Sequence, residues 1–164
     1  MNSLECVQYK CSQVIYENEK GEIQQGVACL SKNFKSNNEN LVSIARLAES
    51  LNIDLYSKEY QGLPTVDKIK VVIDMVNNNT DIQDFNQYLA NLLYIDYIFL
   101  NEDRHFHNII LLYNYLQDSW KTYPIFDNGA SLLSDITIDY PMTKMSYAII
   151  NKVKAKPFNH DFNK

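Results

Sequence analysis

A chain of 164 residues with a formal net charge of -5 is long enough for one hydrophobic core and too short for two comfortable domains. The acidic balance argues against a dedicated nucleic-acid binder, whose phosphate contacts depend on clustered Lys and Arg. No apolar run reaches bilayer-spanning length, and the opening MNSLECVQYK has neither the basic nor the apolar region of a signal peptide.

Cys6 to Tyr16 mixes β-branched, aromatic and polar residues in partial alternation, Glu17-Asn18-Glu19-Lys20-Gly21 supplies turn chemistry, and Ile23 to Leu30 reads as a second strand. Together they predict a β-hairpin. Cys6, Cys11 and Cys29 cannot all pair and show no metal-ligand spacing. They fit a reduced, cytoplasmic compartment, with the thiols buried as small apolar residues. Ser31 to Asn38 reads as a polar exit loop.

Leu41, Ile44, Ala45, Leu47, Ala48 and Leu51 recur at helical spacing. Thr65, after Pro64, is the expected N-cap of a helix through Val66, Ile69, Val72, Ile73 and Val76 that the Asn77-Asn78-Asn79 run ends. Thr80 with Gln83 has the form of a capping box. It opens the strongest expected helix, through Phe85, Leu89, Leu92, Leu93 and Ile95 to about Leu100. The helix becomes apolar on nearly all sides toward its end, which predicts a central, buried position.

After Leu100 the pattern changes. Asn101-Glu102-Asp103-Arg104-His105-Phe106-His107-Asn108 is dense in ionisable and hydrogen-bonding groups. Ile109 to Tyr113 and Lys121 to Phe126 read as two short strands around a polar loop, and Asp127-Asn128-Gly129 follows directly.

That order suits phosphoryl transfer, which needs Mg²⁺ on hard oxygen ligands and a carboxylate to orient and deprotonate an attacking hydroxyl. Asp103 and Asn108 are separated by four residues, the Asp-x-x-x-x-Asn spacing of a kinase catalytic loop. Asp127, returned by the hairpin, is a candidate second metal ligand, and Gly129 lets the backbone turn beside it. Simpler readings stand beside this one. Arg and His after a helix can be a C-terminal capping network, Asp-Asn-Gly alone is a turn sequence, and His105-x-His107 lacks suitably spaced partners for zinc.

Asp96 to His105 with Asn108, followed by Pro124-Ile125-Phe126-Asp127-Asn128-Gly129-Ala130-Ser131-Leu132, resembles the HipA-like Ser/Thr kinases, whose motifs read roughly N-x-D-R-H-x-x-N and D-N-G. The late Ala155-Lys156-Pro157-Phe158 also fits. The resemblance implies an α+β, protein-kinase-like fold. Residues 1–34 would be a hairpin and hinge-like remnant of the small lobe, and residues 35–164 a mostly helical C-lobe. It implies Asp103 as catalytic base, Arg104 and His105 bracing the loop, and Asn108 and Asp127 holding Mg²⁺ for ATP. The expected partners are a protein substrate with a Ser or Thr acceptor and, from the family's toxin–antitoxin context, an antitoxin. No nucleic-acid or membrane partner is expected.

The resemblance leaves out the small lobe's Gly-rich loop, strand Lys and helix Glu. Gly21, Gly26, Gly62 and Gly129 are scattered, Lys10 has no Val-Ala-x-Lys context, and residues 159–164 stop where family members carry further helices. The chain therefore reads as an internal part of a longer kinase, inactive or weakly active by itself. The alternative is a non-catalytic kinase-like binding module or gene remnant.

Overall fold

The computed structural model describes residues 5–132, 134 and 153–158; the expectation about residues 159–164 lies outside them. Strands β1 (Tyr9–Glu17) and β2 (Ile23–Ser31) form an antiparallel hairpin in the register Tyr9↔Ser31 to Glu17↔Ile23. The side-chain oxygen of Asn18 closes the turn by accepting from the amides of Lys20 and Glu22 at 2.9 and 3.0 Å, while Gly21 takes φ 78°, where a Cβ is disfavoured. Gly26 answers a different need. A Cβ there would meet the Tyr16 ring at 3.0 Å. The hairpin is a sheet by itself, and Ile15, Ile23 and Val27 on one of its faces are exposed. The three cysteines are exposed as well, because the hairpin packs too little against the rest of the molecule to bury Cys11 and Cys29.

Leu41 does not join a helix. It lies in β3 (Glu39–Ser43), which pairs antiparallel with β4 (Ile110–Asn114) in the register Leu41↔Leu112. The five residues of β3 carry too little local pattern to outweigh the helical spacing downstream, so tertiary pairing decided this segment. Strand β5 (Ser119–Thr122) completes the order β3-β4-β5. It ends before Phe126, and Ile125 instead bridges in parallel to Cys6, with the Val7 amide donating to the Ile125 carbonyl at 2.8 Å.

Ser43 caps α1 (Ile44–Ser50) by accepting from the Arg46 amide at 3.2 Å. The short α2 (Lys58–Gln61) leads to α3 (Thr65–Asn79), where Pro64 and not Thr65 holds the N-cap position. Proline leaves no amide unsatisfied there, and its φ suits entry to a helix. The Asn run stays helical. Thr80 closes α3 by donating its hydroxyl to the Val76 carbonyl at 2.9 Å, so it opens no capping box. Helix α4 (Phe85–Phe99) begins after Asp84.

Phe85, Leu89 and Leu92 of α4 are buried in the core with Val72, Phe106 and Ile109, and Leu93 is partly buried against it. The end of α4 is not enclosed, however, for Tyr94, Tyr97 and Ile98 are exposed. An apolar composition showed the helix to be central but could not show how many sides are covered. No helix among the described residues is long and apolar enough to cross a membrane.

Candidate functional site

Helix α4 stops at Leu100, which takes φ 54° in the left-handed region and turns the chain sharply into the polar loop. Asn101 is fully buried. Its amide nitrogen donates to Asp96 Oδ1 at 2.8 Å, and its Oδ1 accepts from the Asp103 amide at 3.1 Å. The loop is thus fastened to the last turns of α4 before Asp103 is reached.

Arg104 is wholly buried and uses all five of its donors. Nε and Nη2 bind the two oxygens of Asp96 at 2.8 and 2.9 Å. Nη1 donates to the carbonyls of Asn108 at 3.1 Å and Phe126 at 2.9 Å, and Nη2 also reaches Asn128 Oδ1 at 2.6 Å. One guanidinium therefore joins the helix, the loop bearing Asp103 and the turn bearing Asp127. A charge this deep requires both a counter-ion and full hydrogen bonding, and Arg104 has both.

Asp127 lies between the two turn residues held by Arg104. With Phe126 and Asn128 drawn inward, Asp127 adopts φ 55° and is exposed. An Asp tolerates this conformation better than most residues. Burial raises the Asp103 carboxyl above its ordinary value, and the negative charge of Asp127 adds to the rise, while His105 and Arg104 oppose it. The two carboxylates thus share one electrostatic neighbourhood. His105 is buried, and that burial lowers its pKa against the pull of Asp103, which favours the neutral ring. It lies edge-on to His107 at 5.9 Å.

Asn108 is buried on a 3-10 turn, Phe106–Asn108, with its amide nitrogen 3.4 Å from the Asp103 carbonyl as donor. Among the described residues, no hydrogen bond or ion pair engages the Asn108 Oδ1 or the carboxylates of Asp103 and Asp127. Two uncommitted hard oxygens, one amide and one carboxylate, suit Mg²⁺, which binds few protein ligands and keeps several waters. No group of three or more His, Cys, Asp or Glu side chains placed to hold a metal occurs among the described residues.

The late segment reinforces the loop. Arg104 bridges in parallel to Pro157, the Lys156 amide donates to the Asn101 carbonyl at 3.0 Å, and Lys156 Nζ pairs with Glu102 at 2.7 Å. Phe158 stacks on Phe106 with centroids 4.9 Å apart.

The structure brings Asp103, Arg104, His105, Asn108 and Asp127 into one region. The sequence reading gave no role to Asp96, Asn101 or Asn128, which position them. The available signal was Asp96 itself, a lone carboxylate in the apolar second half of α4, eight residues before one of only two arginines. Such a residue must find a cation when buried. No family model, curated protein or solved structure matches this chain.

Proposed function

We propose that the chain carries the catalytic and metal-binding part of a HipA-like, kinase-like site that transfers phosphate from ATP to a protein Ser or Thr. The observation that carries this reading is the Arg104 arrangement, in which one buried side chain holds the Asp103–Asn108 loop against the Asp127 turn. A capping network at a helix end would not need to grip both segments, nor leave their outward oxygens uncommitted.

In this reading Asp103 orients the acceptor hydroxyl and takes its proton as the oxygen attacks the γ-phosphorus. The bond to ADP breaks in the same in-line displacement. The upward shift that burial gives the Asp103 carboxyl makes it a better base. His105, whose burial disfavours its charged form, adds no competing charge beside it. Asn108 and Asp127 would hold Mg²⁺, which supplies neutralisation of phosphate charge when bound. An antitoxin partner belongs to the same proposal.

Two measurements test it. Mn²⁺, standing in for Mg²⁺ in an electron paramagnetic resonance titration, should bind the wild-type chain and bind Asp127→Asn at least about tenfold more weakly. Transfer from radiolabelled ATP should be assayed on this chain and on the chain fused to a small-lobe segment bearing a Gly-rich loop and Lys. The fusion should label protein, and Asp103→Asn should reduce that by orders of magnitude. Mn²⁺ binding indifferent to Asp127, with no transfer by either form, would leave the non-catalytic binding module as the reading.

A further inference from the structure

An open cavity of about 510 Å³ lies between α1 and the segment that follows it. Its shape comes from the end of the helix. The Leu51 and Ile53 amides both close on the Ala48 carbonyl, at 3.0 and 2.9 Å. Asn52 between them takes φ 58°, reversing the chain so that residues 53–56 return beside the helix they left. Ala45 and Ala48, with their short side chains, and buried Leu55 give the hollow an apolar lining.

The polar part of the lining includes two carboxylates, Glu49 and Asp54, beside Asn52, Tyr56 and His107. Asp54 Oδ1 accepts from the Tyr56 amide at 2.9 Å, which fixes the carboxylate and leaves Oδ2 uncommitted. Among the described residues neither Glu49 nor Asp54 forms an ion pair. His107 also lines the cavity, and it belongs to the loop of Asp103. Tyr56 meets Phe106 edge-on at 6.0 Å, so the cavity wall and that loop pack as one unit. His107 lies four positions after Asp103, and four residue steps span at most about 14 Å.

We infer that this cavity receives an Arg or Lys side chain of the protein substrate, placed about three to five residues from the Ser or Thr that Asp103 addresses. The inference rests on the phosphoryl-transfer reading for the identity of the acceptor, and on the cavity alone for the cationic guest. An aliphatic stem lies along Ala45, Ala48 and Leu55 while its charged end meets Glu49 and Asp54. That combination suits a long basic side chain and suits neither a purely apolar nor an anionic one.

The test is fluorescence anisotropy with the full chain and labelled Ser-containing peptides. One peptide carries Arg four residues from the Ser, and its control carries citrulline, the uncharged isostere. The Arg peptide should bind at least about tenfold more tightly. The preference should vanish in Glu49→Gln/Asp54→Asn, weaken in Glu49→Gln alone, and persist in Asp103→Asn. Asn at 54 retains an acceptor for the Tyr56 amide, and both positions are exposed, so the variants should keep the wild-type unfolding midpoint. Equal binding of the two peptides by the wild type, or a preference that survives the double variant, overturns the inference. If that result comes with Asp103-dependent transfer intact, the kinase reading stands and only the cavity assignment falls. An Arg preference that depends on Glu49 and Asp54, in a protein that transfers no phosphate in any form, supports the cationic site and removes the kinase reading.

Discussion

Arg104 grips Asp96 with two hydrogen bonds, Nε to Oδ2 at 2.8 Å and Nη2 to Oδ1 at 2.9 Å, and both side chains are sealed from solvent. The pair joins the end of α4 to the two segments that bear Asp103 and Asp127. Asp96→Ala leaves a buried guanidinium without its counter-ion and should cost about 3–5 kcal/mol in a urea titration. The double variant Asp96→Leu/Arg104→Met should recover much of that loss, since apolar replacement of a buried pair is often tolerated. It should still fail to bind Mn²⁺, because nothing then holds the Asp127 turn. A single-variant loss below about 1 kcal/mol would contradict the buried pair.

Leu92 is fully buried among the core residues of α3, α4 and β4. Leu92→Ala should therefore cost about 2–5 kcal/mol. Tyr97→Ala, on the exposed side of the same helix, should stay within about 0.5 kcal/mol. Equal effects at the two positions would mean that the helix is covered on both sides.

Stability in acid should report on the β3–β5 link. Lys121 Nζ lies 2.6 Å from Glu39, and this contact, with the Ser36 amide, holds the Glu39 carboxyl down to about 2 from 4.5. A depressed carboxyl stabilises the fold above its unfolded value and loses that contribution as pH falls toward the folded one. The difference in unfolding midpoint between wild type and Glu39→Gln should be constant above about pH 5 and shrink from there toward pH 2. Lys121 is largely exposed, so solvent screening limits the effect to about 1 kcal/mol or less. A difference that grows on acidification would reverse the assignment.

Cys11 and Cys29 are direct partners in the hairpin register, and both are exposed and free. Opposed residues of antiparallel strands have Cα atoms about 4.5–5.5 Å apart, inside the range of roughly 4.4–6.8 Å that a disulfide spans. Diamide, which takes up the two thiol hydrogens, should join them and lower the intact mass by two hydrogens, leaving Cys6 open to alkylation. Cys11→Ser should abolish the change. A bridge involving Cys6 would show the hairpin register to be different.

Several features were legible in the residues alone because they depend on short stretches of chain. The first hairpin follows from alternation around a turn with Asn18 and Gly21. The core position of Phe85, Leu89 and Leu92 follows from helical spacing, and the spacing of Asp103, Asn108 and Asp127 is written in the chain itself. Leu41 was misread because a five-residue strand carries too little local signal to outweigh the helical pattern beside it. Thr80 was misread because one hydroxyl can close a preceding helix as readily as open the next.

The tertiary structure decided the relations between distant segments. Only the folded chain brings Asp96, Arg104, Phe126 and Asn128 together, since a guanidinium selects its acceptors by direction and distance and not by sequence separation. Only the fold shows that the end of α4 is open on one side, that the cysteines are exposed, and that the chain reverses after α1 to leave a cavity lined by Glu49, Asp54 and His107. Sequence pattern set which residue types are available and at what local spacing. Burial set which of them lose water and must pair, and that requirement fixes Asp103, Asn108 and Asp127 around Arg104.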